Sequence, residues 1–109
     1  MVSPPLRLLL NLTLALFVPA TLAAQTTASL AGLVLDPNNH PVPGALVRLT
    51  QRVNGFERNV LTDADGKFRL SNLPFQTYGL SVEKERFLVH QESVPLRENL
   101  LREIRVQLQ

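Results

Sequence analysis

From Ser29 to the last residue, short apolar or alternating stretches are interrupted about every ten residues by clusters of Pro, Gly, Asn and Asp. Strands of an antiparallel sandwich produce that spacing; helices do not. No window carries the 3.6-residue period of an amphipathic helix. The expected strands are Leu30–Leu35, Ala45–Gln51, Phe56–Thr62, Lys67–Leu70, Thr77–Glu83, Phe87–Val94 and Leu100–Leu108. Between the first two, Asp36 to Gly44 holds three prolines and two asparagines, which forbid ladder continuation. Asn54-Gly55 and Asp63-Ala64-Asp65-Gly66 read as tight turns. Period-2 alternation selects a core of Leu30, Val34, Val47, Leu49, Val60, Phe68, Leu70, Leu73, Tyr78, Leu80, Val82, Phe87, Ile104, Val106 and Leu108. The class predicted is all-β, a seven-stranded antiparallel Greek-key β-sandwich over residues 25–109.

The residues before this pattern obey a different logic. Met1 to Arg7 has no acidic side chain, Leu8 to Val18 is an apolar run of signal-peptide length, and Pro19 ends it. The run is too short for a membrane helix of about 20 residues. Ala20-Thr21-Leu22-Ala23-Ala24 supplies the small residues a signal peptidase requires, so residues 1–24 are expected to be a signal peptide cleaved after Ala23 or Ala24. The rival readings are a retained membrane anchor and a buried N-terminal helix. Export then places the domain in the periplasm, at the outer membrane or outside the cell. Membrane contact is expected only through an associated receptor or an uncleaved leader.

Without the leader, 85 residues carry ten basic and nine acidic side chains. The signs alternate, as in Glu83-Lys84-Glu85-Arg86, so there is no basic stripe and no nucleic-acid partner is expected despite a pI near 9.7. The chain has no cysteine, which excludes a disulfide framework and a lipoprotein anchor. Burial and β pairing must hold the fold.

Five segments taken in order, Gly32-x-Val34-x-Asp36, Pro41-Val42-Pro43-Gly44-Ala45-x-Val47-x-Leu49, Thr62-Asp63-Ala64-Asp65-Gly66-x-Phe68, Asn72-Leu73-Pro74 and Tyr78-x-Leu80-x-Val82, resemble the carboxypeptidase regulatory-like domain. The resemblance implies a prealbumin-like or starch-binding-domain-like sandwich without catalysis, which packs on neighbours, spaces other domains or, in related folds, binds carbohydrate. A leader directly before such a domain looks most like the N-terminus of a TonB-dependent outer-membrane receptor. Many members have glycine where this chain has Asn39, Pro-Gly in place of Phe75-Gln76, and Gly-Phe in place of Arg86-Phe87. Asn tolerates a left-handed backbone, whereas Gln76 and Arg86 do so poorly, so the latter two loops are expected to change geometry.

Enzyme chemistry finds little to build on. His40 lies in a Pro-Asn loop and His90 on a strand, both read as surface residues with no close carboxylate partner in sequence, so no catalytic, cofactor or metal site is assigned. The Tyr-Arg-Gly-Ser ending of the hydroxyisourate hydrolases is absent, and the single tyrosine, Tyr78, does not meet the two-tyrosine iron set of intradiol dioxygenases. Asp63-Ala64-Asp65-Gly66 opens like a calcium loop but lacks its closing glutamate.

Binding surfaces are the better expectation. Alternation puts Leu33 and Leu35 on the outer face of the first strand and Leu46 on that of the second, a candidate docking patch for another protein or domain. Phe56 and Phe75, beside turns, are the aromatic residues left for a polysaccharide. The leading expectation is an exported, non-catalytic module for protein interaction or spacing. The alternative is a carbohydrate-binding module.

Overall fold

The computed structural model describes residues 26–109; the leader expected over 1–24 lies outside the described residues. Seven strands follow in order: β1 (Thr27–Leu35), β2 (Leu46–Gln51), β3 (Phe56–Leu61), β4 (Lys67–Pro74), β5 (Gln76–Glu83), β6 (His90–Leu96) and β7 (Leu101–Gln107). They form two sheets, ordered β4-β1-β7 and β3-β2-β5-β6, and the chain crosses between the sheets four times. The result is an all-β Greek-key sandwich.

One ladder departs from the antiparallel expectation. β1 and β7 run parallel, from Ser29 opposite Leu101 to Leu35 opposite Gln107. A parallel pair needs a long crossover, and the whole domain between the two strands supplies it. The consequence is spatial: the chain enters at one end of the sandwich and leaves β7 at the other.

Twelve of the fifteen expected core residues are buried, and Val60, Phe87 and Ile104 are half-buried against them. Ala28 and Leu96 join the core from beyond the expected strand ends, and Val94 joins it from the last position of the expected sixth strand. The sixth strand starts at His90 and runs through Pro95 to Leu96, later than expected. Proline is tolerated there because β6 is an edge strand, where a missing backbone donor breaks no ladder on its open side. Pro74 ends β4 on another edge for the same reason.

Two side chains seal one flank of the sandwich. Arg58 on edge strand β3 donates to the carbonyls of Ser71 (3.0 Å) and Asn72 (3.4 Å) in β4. Its guanidinium also lies 5.5 Å from the centroid of Phe56. Phe56 in turn meets Tyr78 with centroids 5.2 Å apart at 54°. Burial pushes the Tyr78 phenol above its ordinary pKa, with the Arg58 charge opposing, and its hydroxyl donates to the carbonyl of Pro74 at 2.5 Å.

Candidate interaction surfaces

Two loops shape one end of the molecule, and they are copies of one geometry. In Asp36–His40 the Asp36 carboxylate accepts the N–H groups of Asn38 and His40, and the Asn39 N–H reaches the Asp36 carbonyl. In Asp63–Lys67 the Asp63 carboxylate accepts those of Asp65 and Lys67, and the Gly66 N–H reaches the Asp63 carbonyl. The fourth position is left-handed in both, Asn39 at φ 66° and Gly66 at φ 75°. Donors aimed at a carboxylate favour its charged form. The N–H of His40 is the largest cause holding Asp36 below the usual carboxylate range, and the N–H of Lys67 does the same for Asp63. Asp63 Oδ1 is thus engaged in closing a hairpin.

Both histidines have a carboxylate neighbour, which corrects the expectation from sequence. His90 Nε2 lies 2.8 Å from Glu92 Oε2 along β6, and His40 Nδ1 lies 3.7 Å from Asp36 Oδ2. Both partners are local in sequence: neighbours at i+2 on one strand face the same way, and the turn folds His40 back on Asp36 four residues before it. Neither pair carries further: the carboxylate beside His40 is committed to its turn, and His90–Glu92 sits on an exposed edge strand. Among the described residues no three His, Cys, Asp or Glu side chains converge to hold a metal ion.

The three leucines do not form one patch. Leu33 is on the outer face of the β4-β1-β7 sheet, whereas Leu46 is on the outer face of the other sheet, so the sandwich separates them. Leu33 stands opposite Lys67 and Arg105, and it is half-buried. Leu35 is buried at 4% exposure. The Asp36–His40 loop returns upon it, placing Pro41 opposite Leu35 in an isolated bridge. Strand alternation gives a side chain's direction and says nothing of a loop that folds back over it.

Leu46 has companions that alternation alone did not single out. It pairs across the ladder with Leu61 of β3, and Val89 lies near it beyond Glu83. Leu61 and Val89 are 60% and 53% exposed. The row is interrupted by Glu83, 3.8 Å from Arg48. The signal was present in the sequence: Leu61 shares its face with Glu57 and Asn59, the outward positions of the third strand.

Phe56 and Phe75 also differ from expectation, since both are half-buried and packed on the core. Phe56 stands opposite Gln51 at the start of β3 and is shared between Tyr78 and Arg58, so its ring is not an open platform. The polar relief on this sheet lies elsewhere. A shallow groove of about 500 Å³ runs over β2, β5 and β6, lined by Thr50, Gln51, Gly79, Ser81, Gln91 and Ser93 among others. Gly79 forms its floor, since Thr50 and Ser93 stand opposite it on either side and it has no side chain of its own.

The family model of the carboxypeptidase regulatory-like domain matches residues 29–109. The chain belongs to that family. Carboxypeptidase D of Drosophila melanogaster is 39% identical over 64 residues, which are 59% of this chain and 4% of that protein. Among solved structures, the TIE protein of Bacillus anthracis superposes with a TM-score of 0.66 at 17% identity, over 76% of this chain and 16% of its own. The 3-chlorocatechol 1,2-dioxygenase of Rhodococcus opacus does so at 0.64 and 12%, over 78% and 60%. A Bacteroides uniformis protein to which carbohydrate binding is provisionally attributed gives 0.60 and 15%, over 74% and 40%. At such identities the likeness is one of fold alone. This regulatory-like domain spans 4% of the matched carboxypeptidase D and 16% of the TIE protein.

Proposed function

We propose that this carboxypeptidase regulatory-like domain is an exported, non-catalytic module that spaces or docks other protein segments. The parallel pairing of β1 with β7 carries the reading. A domain whose first and last strands are antiparallel neighbours returns the chain to its starting end. Here seven paired positions at about 3.3 Å each separate entry from exit by about 20 Å along the sheet. Such a unit lengthens whatever it is inserted in. Small-angle scattering of a fusion with one rigid, folded protein at each end tests this: an in-line particle supports it, and two fused proteins lying side by side would overturn it.

Export rests on residues 1–24 and is tested separately. The leader fused to alkaline phosphatase should give activity only outside the cytoplasm, and removal of residues 2–24 should retain the chain inside. The finer reading, an N-terminal module of a TonB-dependent receptor-like protein at the outer membrane, rests on a leader directly before this domain. An in-frame plug and barrel at the genomic locus supports it, and an unrelated gene there overturns it.

A second reading has its own observation. The groove over β2, β5 and β6 offers hydroxyl and amide groups of the kind that meet sugar hydroxyls. If polysaccharide binds there, retardation in polysaccharide-containing gels should be abolished by Gly79→Arg and little affected by Phe75→Leu. Loss with Phe75→Leu alone would move the site to the turn between β4 and β5.

A further inference from the structure

Four strands lie at sheet edges, and two of them are blunted by proline. β6 carries Pro95, and β4 carries Pro74 with Asn72 in a left-handed conformation (φ 56°). β3 and β7 each send one arginine across to the other sheet, Arg58 to the Ser71 carbonyl and Arg102 to the Pro95 carbonyl at 3.1 Å, which leaves their outer backbone groups uncovered. The fourth, β7, is a seven-residue strand without Pro or Gly, Leu-Arg-Glu-Ile-Arg-Val-Gln. An edge of this kind is a template for another strand unless its side chains forbid one.

The direction of its backbone groups can be read from the ends of the strand. The Leu100 carbonyl accepts from Ser29, and the Leu108 N–H donates to Leu35, so even-numbered positions face β1. The odd-numbered ones, Leu101, Glu103, Arg105 and Gln107, face outward. Consistently, the Gln109 carbonyl accepts from Leu88, outside the β1 ladder.

We propose that β7 is the edge through which a second copy of this chain pairs, antiparallel, about a two-fold axis at Ile104. In that register Glu103 stands opposite Arg105 of the second copy, Arg105 opposite its Glu103, and Leu101 opposite its Gln107. Each of these is a pair of outward-facing backbone positions, so every one can exchange two hydrogen bonds. The charges match on the same register as the backbone. Glu103 and Arg105 both point to the outer sheet face, so each copy offers an acid where the other offers a base. The contact is isologous and closes after two copies. It joins the two three-stranded sheets into one of six strands, ordered β4-β1-β7-β7-β1-β4. The same test applied to β3 finds no match at either central residue: a two-fold at Arg58 sets Arg58 against Arg58, and one at Asn59 sets Glu57 against Leu61.

Cysteine crosslinking on the full chain tests the pairing, since the native sequence contains no cysteine. At the axis the Cα atoms stand about 4.5 Å apart, within disulfide range. Ile104→Cys should form a disulfide-linked dimer under mild oxidation, while Ser93→Cys, on the other sheet, should not. Adding Arg105→Glu to Ile104→Cys sets like charges opposite each other twice and should cut the crosslinked yield about tenfold. Adding Glu103→Arg as well restores the match and the yield. Because Ile104 also packs on the core, an exposed pair provides an independent arm: mixed Glu103→Cys and Arg105→Cys chains should crosslink to each other faster than either does to itself. Crosslinking of Ile104→Cys no faster than Ser93→Cys, no rescue by the double reversal, or crosslinks mainly to other proteins would each overturn the proposal.

Discussion

The loops Asp36–His40 and Asp63–Lys67 share a hydrogen-bond pattern yet use different residues at the one position that demands a left-handed backbone. Asn39 is exposed and Gly66 is buried. The reason is that the first loop's return lies on the second. A Cβ at Gly66 would meet the Val34 carbonyl oxygen at 2.7 Å, the Val42 nitrogen at 3.0 Å and Pro41 Cβ at 3.1 Å. Backbone atoms cannot move aside as a flexible side chain can. Asn39 has solvent around it, and its Oδ1 gains a 2.9 Å hydrogen bond from Gln107. Equal backbone geometry therefore does not imply equal tolerance; what lies over the loop decides.

The largest expected effect follows directly. Gly66→Ala adds a backbone clash to the left-handed cost of about 1–2 kcal/mol for a residue with a Cβ. Destabilisation of about 3 kcal/mol or more is expected, lowering the melting temperature by more than about 10 °C in a domain of this size. A loss under about 1 kcal/mol in urea unfolding would mean that Pro41 and Val42 do not rest on Gly66.

Thr62 is the tie between the loops, and its removal ranks next. It is the only buried polar residue among those described. Its hydroxyl donates to the Val42 carbonyl at 2.6 Å and accepts from the Ala45 N–H at 2.8 Å. Thr62→Val keeps the shape and leaves both backbone groups unpaired, at a cost of about 2 kcal/mol. Thr62→Ser retains the hydroxyl and should recover more than half of that. If Thr62→Ser were as unstable as Thr62→Val, the methyl contact would matter as much as the two hydrogen bonds.

How much of this was legible in the sequence varies by residue. Turn clusters placed all seven strands, because a proline or a left-handed position interrupts a ladder locally and visibly. Alternation placed twelve core residues correctly for the same local reason. It failed at Leu35, which a loop covers, at Val94, which alternation from Phe87 turns outward, and at Leu96, which follows from Pro95 being tolerated on an edge. Edge position and the parallel β1–β7 pair are properties of strand order, which no local pattern encodes. Arg86 is a further case: it was expected to abandon the left-handed turn, yet it holds φ 75°, with the Phe87 N–H donating to the Lys84 carbonyl. Gln76, by contrast, lies in β5 without a positive φ, as its side chain suggests. For the candidate surfaces the sequence named Leu46 but not Leu61 or Val89, since a row across strands exists only once the register does.

The two aspartates make the loops comparable in acid. Both folded-state pKa values are lowered from 3.8, so the unfolded chain binds more protons as each group titrates. Their contribution is complete above the ordinary carboxylate range and is lost as pH falls through the folded value. Asp63→Asn keeps an oxygen acceptor for the two N–H groups but no longer titrates. It should lower stability at neutral pH by what the charged carboxylate contributes there, and so make the fall between about pH 5 and 2 shallower. Asp36→Asn should do likewise, and the double variant should give the shallowest curve. An unchanged acid limb in the double variant would show that other carboxylates govern it.

The smallest effect is the sharpest check on the comparison. Asn39→Gly relieves the left-handed cost, which is already small for Asn, and loses the exposed hydrogen bond from Gln107. The two changes oppose, and the net is expected within about 0.5 kcal/mol of zero. Asn39→Ala loses the bond and meets the full left-handed cost in open solvent, for about 1–2 kcal/mol. It is the counterpart of Gly66→Ala with the overlying backbone taken away. The difference between the two alanine variants therefore isolates the clash itself. If they were equally destabilised, the two loops would differ only in their sequence, and the burial of Gly66 beneath Pro41 and Val42 would contribute nothing to its choice of residue.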